Sequence, residues 1–249
     1  MIETQGLTVR FGGHVAVDQV SCRFEPGTLT AMVGPNGAGK TTYFNLISGQ
    51  IKASSGRVIL AGQDLTALSV SQRTRAGLGR AFQLTNLFPN LSVLENVRLA
   101  IQARASAGLN FWQIWSDRSD LIERAWEVLE QVSLTDQAQV PAASLPHGDQ
   151  RKLEVGVLMA LDPLVYMFDE PTAGMSVDEV PVILNLIRRL KQDTRKVILL
   201  VEHKMDVVRE LADRIVVLHN GACVADGDPS EVMASEVVQQ AYMGKAKAA

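Results

Sequence analysis

A chain of 249 residues, 47% apolar and 20% charged, is long enough for a substantial core and too apolar for disorder. Its net charge of −3 gives no electrostatic basis for binding nucleic acid. No apolar run approaches the roughly 18–20 residues that span a bilayer, and the start M-I-E-T-Q-G has no basic stretch ahead of an apolar block, so neither a spanning helix nor a signal peptide is expected.

The chain opens with β-rich segments, L-T-V-R-F at 7–11 and V-S-C-R-F at 20–24. L-T-A-M-V at 29–33 reads as a buried strand, and a glycine-rich loop follows at once. K-T-T-Y-F-N-L-I-S at 40–48 reads as a helix closed by Gly49 as C-cap. R-V-I-L-A-G at 57–62 reads as a strand and turn. Between 84 and 161 the apolar spacing becomes helical. Leu121, Ile122, Ala125, Leu129 and Val132 share one face behind an N-cap at Ser119 or Asp120, with Trp126 beside that face and expected in the core. Leu153, Val157, Ala160 and Leu161 form another face. Strands at 164–168, 197–201, 215–218 and 223–225 then alternate with helices at 179–191 and 204–212. Such alternation predicts an α/β fold, a parallel sheet flanked by helices. Ser176 and Glu179 have the spacing of a capping box, but that start would bury Pro181 in the helix interior, so Asp178 is the expected N-cap. Cys22 and Cys223 show no metal or redox spacing and read as two buried thiols in a reducing cytosol; the tail at 245–249 reads as frayed.

G-P-N-G-A-G-K-T-T at 34–42 fits G-x-x-x-x-G-K-[ST] at every fixed position, between a strand and a helix as that motif requires. Its glycines let successive backbone N–H groups turn inward onto phosphate oxygens, and the helix beginning near Gly39 adds its positive end. Lys40 is placed for the β- and γ-phosphates and Thr41 for Mg²⁺. L-V-Y-M-F-D-E at 164–170 ends a strand on two carboxylates: Asp169 to hold Mg²⁺, directly or through water, and Glu170 to orient the attacking water.

With these motifs in order, the chain resembles the ATP-binding cassette (ABC) ATPases over nearly its whole length. Phe11 matches the aromatic that stacks on adenine. Residues 34–42 match the Walker A loop, which implies nucleotide contacts from Gly34, Asn36, Gly37, Ala38, Gly39, Lys40, Thr41 and Thr42. Gln83, in R-A-F-Q-L, matches the Q-loop, a metal and catalytic position. L-P-H-G-D-Q-R from Leu145 stands where the family has its signature, Asp169 and Glu170 match Walker B, and His203, in V-E-H-K-M, matches the switch histidine. The resemblance implies a P-loop core with an N-terminal antiparallel β subdomain at 1–83 and 162–249, and an inserted helical signature subdomain at 84–161. It also implies a head-to-tail dimer, with an identical copy or a sister cassette, closing on two ATP. Leu145, His147, Gly148 and Asp149 would then reach the partner's nucleotide in trans.

The sequence departs from the family pattern at Pro146, which replaces the signature serine and supplies neither hydroxyl nor N–H, at His147, which replaces the first signature glycine, and at Ser176, which stands where an aspartate is usual. R-F-G-G-H-V-A-V at 10–17, the run from Arg80 through L-F-P-N-L-S-V-L-E-N-V, V-E-H-K-M-D-V-V and the ending A-Y-M-G look like the ATPase subunits of branched-chain (hydrophobic) amino-acid importers, a pattern shared with urea and short-amide importers. That narrower resemblance implies ATP and Mg²⁺ as cofactors. It implies two membrane-spanning permease subunits docking near Gln83 and the 84–105 segment, an external solute-binding protein, and a peripheral place on the cytoplasmic face of the cell membrane. F-W-Q-I-W at 111–115 is expected to pack on the helical subdomain, with the membrane interface or the permease as the alternative contact. Other members of the wider class remain as alternatives: a soluble ABC ATPase, whose long coiled coil or second cassette this chain lacks; an exporter motor; and a cassette that binds ATP without turning it over, against which Glu170 and His203 stand.

Overall fold

The computed structural model describes residues 1–81, 87–105 and 119–243; Gln83, the aromatic segment 111–115 and the tail at 245–249 lie outside them. The chain separates into two compact units. One comprises Met1–Arg80, Leu164–Glu170 and Leu190–Ala249, and the other Ala81–Pro163 and Pro171–Arg189. Segment 171–189, grouped on sequence with the P-loop half, clusters with the helical unit.

The first unit holds an antiparallel sheet and most of a parallel one. β1 (Ile2–Phe11) and β2 (His14–Phe24) form a hairpin around Gly12 and Gly13, with Phe11 and His14 paired at its mouth. β1 also pairs with β4 (Ser55–Leu60), which turns back through Ala61 and Gly62 into β5 (Gln63–Asp64). The second sheet has the order β10-β9-β3-β8-β7-β6. Its strands are β3 (Leu29–Val33), β6 (Leu78–Ala81), β7 (Val165–Asp169), β8 (Val197–Val201), β9 (Arg214–His219) and β10 (Ala222–Gly227). β7, β8, β3 and β9 run parallel, and β10 returns antiparallel to β9.

Both faces of the parallel strands are covered, which is why they read as continuous apolar runs. Met32, Met167, Leu199 and Val201 pack with Tyr43, Phe44, Leu46 and Ile47 of α1 (Lys40–Ser48) and with the antiparallel sheet. On the opposite face Ala31, Val33, Ile215 and Val217 meet Val208 of α7 (Met205–Leu211), Val232 of α8 (Pro229–Ala234) and Val238 of α9 (Glu236–Met243). Each fully buried side chain of this size contributes about 1.5–3 kcal/mol. The buried Tyr43 hydroxyl is satisfied by Thr4 Oγ1 at 2.6 Å. Gly49 closes α1 in the left-handed conformation, as its sequence predicts. The buried Arg73, in α2 (Val70–Arg75), donates from Nη1 to the carbonyls of Leu46 and Ile47 at that same helix end.

Cys22 and Cys223, 201 positions apart, are neighbours here. A hydrogen bond with Cys223, and then burial, push the Cys22 thiol up, while Cys223, only half-buried, is held below its ordinary value by the same bond.

The second unit is helical: α3 (Val93–Arg104), α4 (Ser119–Gln131), α5 (His147–Leu161) and most of α6 (Val180–Lys191). α3 is capped by Ser92, whose hydroxyl accepts from the Glu95 amide. α4 buries Leu121, Ala125, Leu129 and Val132, with Ile122 half-buried. Trp126, expected in the core, is 39% exposed, because one residue past Ala125 turns it about 100° off that stripe. α4 already runs at Ser119, so Ser119 and Asp120 belong to its first turn, and the cap falls outside the described residues. α5 touches both α3 and α4, so it buries a wider surface than its periodicity suggested. Val155 and Leu158 join Leu153 and Ala160 in the core, whereas Val157 and Leu161 are half-buried. Pro181 sits in the first turn of α6, as expected, but the helix starts one residue later than predicted: Asp178, the expected N-cap, lies in a turn over 177–179, and Glu179 Oε2 accepts from both the amide and the hydroxyl of Ser176. The Ser176–Glu179 pairing therefore forms without placing the proline inside the helix.

Candidate nucleotide-binding site

The cradle starts where β3 ends. Gly34 has φ +148°, and a Cβ there would lie 2.1 Å from the Leu218 carbonyl oxygen. Gly39, the N-cap of α1, has φ +96°, and a Cβ would come within 2.5 Å of the Ala16 carbonyl oxygen. Both positions exclude any side chain. The loop is braced from behind by the β9–β10 turn, since Gly221 N donates to Ala38 O and Asp18 N to Gly221 O. Lys40, buried at 5% exposure, donates from Nζ to Gly34 O at 2.7 Å and to Pro35 O at 3.1 Å. Its charge thus rests on loop carbonyls at the first turn of α1.

Phe11, Asn36, Gly37, Ala38, Gly39, Lys40, Thr41, Thr42, Glu170 and His203 line one cleft of about 460 Å³. These ten, expected on sequence to serve one nucleotide, meet within the first unit. Phe11 is half exposed at the hairpin mouth, with its ring free to stack. Glu170 follows the last residue of β7 with φ +51°, an uncommon conformation for a non-glycine residue. Its amide donates to Val201 O, and its Oε1 accepts from His203 Nε2 at 2.5 Å. The His203 amide donates in turn to the buried Glu202 carboxylate.

Asp169 ends β7 at 4% exposure. Burial pushes its carboxyl above the ordinary range, against the pull of Arg80, whose Nη2 donates to Oδ2 at 2.6 Å. Among the described residues no three or more His, Cys, Asp or Glu side chains cluster as a metal cage. The hard oxygens of Thr41 and Asp169 make a sparse donor set. Such a set suits Mg²⁺, which keeps several waters and takes its other oxygens from phosphate.

The signature positions lie in the second unit. Leu145 is buried, Pro146 and His147 are exposed, and Pro146 is the N-cap of α5 with no side-chain cap bond. Partial burial opposes ionisation of Asp149, but hydrogen bonds from Lys152 and Gln137 outweigh it and hold the carboxyl low. Gly148 is closed over by Glu179: a Cβ there would fall 1.8 Å from Glu179 Oε1.

Sequence reasoning missed three residues. His14 and Ala16 line the cleft beside Phe11. The F-G-G-H turn, with Phe11 and His14 as strand partners across it, was the available signal for His14. Arg80 could have been noticed as a lone charge in L-G-R-A.

A glycine loop between a buried strand and a helix, with the strand-end Glu170 lining the same cleft and Asp169 buried just before it, defines a P-loop nucleotide-binding protein. The chain matches the ABC transporter family over residues 17–173, more than half its length. It belongs to that family and is one of its ATP-binding cassettes. It is 36% identical over 251 residues to the high-affinity branched-chain amino acid transport ATP-binding protein LivG of Escherichia coli (strain K12), covering 99% of this chain and 98% of that protein. BraF of Pseudomonas aeruginosa, a protein of the same description, is 36% identical over 252 residues at the same coverage. Among solved structures, a nucleotide-free cassette from an ABC transporter aligns with TM-score 0.82 and 28% identity over 97% of this chain and 98% of that one. The cassette MJ1267 in its ADP conformation aligns equally well, over 98% of each chain. Among the described residues no helix is long and apolar enough to cross a membrane.

Proposed function

We propose that this chain is the ATP-hydrolysing motor subunit of an importer for branched-chain amino acids or related small amides. The observation that carries the reading is the Glu170–His203 pair at 2.5 Å, in the same cleft as Lys40 and Thr41. Two relatives of nearly equal length, named for branched-chain amino acid transport, support the solute class.

In this reading the glycine-loop amides, those of Gly37 and Gly39 among them, take the phosphate oxygens. Lys40 leaves its loop carbonyls for the β- and γ-phosphates, and Phe11 stacks on the base. Thr41 and Asp169 hold Mg²⁺, which neutralises charge developing on the phosphates. Glu170 accepts a hydrogen bond from the attacking water and polarises it toward the γ-phosphorus, while His203 fixes the carboxylate. The bond to the γ-phosphorus forms as the β,γ-bridge breaks, giving ADP and phosphate. Gln83, the position that matches the Q-loop, joins this set as a metal and catalytic residue.

The second half of each site comes from another cassette, an identical copy or a sister subunit, whose Leu145, His147, Gly148 and Asp149 serve the γ-phosphate once the Glu179 carboxylate moves off Gly148. With Pro146 in place of serine that contact rests on backbone, a deficit of about 1.5–3 kcal/mol. Pro146→Ser then closes at least as well as the wild type. Two permease subunits hold the dimer on the cytoplasmic face of the membrane, with a solute-binding protein on the other side. ATP turnover by the purified chain, compared with Glu170→Gln, tests the chemistry. Stimulation of that turnover by reconstituted permease and solute-loaded binding protein tests the coupling.

A further inference from the structure

We infer that Arg80 is a positioning residue: it fixes the Asp169 carboxylate to the helix that carries Lys40 and Thr41, so that both sides of the metal-nucleotide site move as one. The inference rests on the assignment of Asp169 to Mg²⁺ in the proposed function.

Arg80 lies on β6 with its side chain 7% exposed, facing an Asp169 side chain that is 3% exposed. Nη2 binds Asp169 Oδ2 at 2.6 Å. Nη1 points the other way, within 2.6 Å of Asn45 Oδ1, 2.9 Å of Ser48 Oγ and 2.9 Å of Gln50 Oε1. The guanidinium also stacks 5.5 Å from the Phe44 ring centroid. Three of those partners, Phe44, Asn45 and Ser48, belong to α1. A single planar cation therefore spans from the strand end bearing Asp169 to the helix that begins at Lys40.

Stability alone does not account for this arrangement. A buried ion pair is at best a weak stabiliser relative to apolar side chains of similar volume. Its distinctive property is direction, because a forked guanidinium holds a carboxylate in one plane. With Oδ2 committed to Arg80, the remaining oxygen, Oδ1, keeps one orientation relative to Thr41. Lysine reproduces the charge but not the fork.

The test is Mg²⁺ titration of the binding of a fluorescent ATP analogue to wild type, Arg80→Met, Arg80→Lys, Asp169→Asn and the Arg80→Met/Asp169→Asn pair. Binding is also measured in EDTA, and urea denaturation checks folding. Arg80→Met should keep EDTA affinity within about twofold, raise the Mg²⁺ concentration for half-maximal binding by about tenfold, and add no further shift to Asp169→Asn. Arg80→Lys should recover part of the loss. An Arg80→Met Mg²⁺ curve that overlies the wild type, or an undiminished shift in the Asp169→Asn background, overturns the inference. If Arg80→Met does not fold, Arg80→Lys decides by the same criterion. Should Asp169→Asn itself leave the Mg²⁺ half-point unchanged, the assignment of Asp169 falls first; if it shifts and Arg80→Met does not, only the inference falls.

Discussion

Glu170 holds His203 through a 2.5 Å hydrogen bond while its own backbone sits at φ +51°. The strained residue is thus the one whose carboxylate faces the cleft, and two contacts keep it there: the Val201 carbonyl through its amide and the His203 ring through its side chain. Glu170→Gln keeps the size and the backbone but not the charge. Single-turnover hydrolysis should slow by about 10²–10³ with ATP binding retained. Hydrolysis at the wild-type rate would remove Glu170 from the chemistry.

Glu154 in α5 is 7% exposed, with Oε2 bound to Arg151 at 3.0 Å and Oε1 without a partner among the described residues. Burial raises its carboxyl above the ordinary value of 4.5, against the pull of Arg151. The folded state then holds the proton more tightly than the unfolded one. This group's contribution to stability therefore falls as pH rises from 4.5 through the raised folded value. Glu154→Gln should flatten that part of the pH–stability curve. Urea denaturation between pH 4 and 8 checks it, and an unchanged slope contradicts it.

Gly148 and Glu179 form a second testable pair. Gly148→Ala drives a methyl into the Glu179 carboxylate, which is held by Ser176. The flexible end of Glu179 must swing away and give up its Ser176 hydrogen bonds, a cost of about 0.5–1.5 kcal/mol, and Glu179→Ala in the same chain should relieve most of it. Equal destabilisation in both backgrounds would show that the collision is not the cause.

Arg73 donates to four carbonyls, those of Leu46, Ile47, Thr66 and Leu68, from a nearly fully buried position. Arg73→Met removes the side-chain donor from all four, leaving Leu46 O only the Gly49 amide, and removes a cation from the negative end of α1. The loss should be at least about 3 kcal/mol by urea denaturation. A loss below about 1 kcal/mol would mean that water replaces the guanidinium.

The parts legible in the sequence are those where a local geometry admits few residue types. Gly34 and Gly39 face carbonyl oxygens at distances that exclude a Cβ, and the buried strands are predominantly apolar runs. Element positions followed: β8 falls where expected and α1 ends at Gly49. What periodicity could not reach was set by tertiary contact. Trp126 lies next to a buried stripe yet faces out. Val157 and Leu161 yield to Val155 and Leu158 because α5 has two packing partners. Arg80 meets Asp169 across 89 positions, and Cys22 meets Cys223 across 201. The left-handed backbone of Glu170 has no sequence signature, since glutamate is not a residue that favours it.

The central claim, a motor that works on a membrane partner, is tested most directly by isolation from the source cell. The chain would be tagged, the membranes solubilised in mild detergent, and the co-purifying proteins identified. The account predicts two multi-spanning subunits in stoichiometric amount, with or without a second cassette, and ATP hydrolysis by that complex. Recovery only from the soluble fraction, with soluble partners, would contradict the transport role and leave the nucleotide chemistry to be explained by another task.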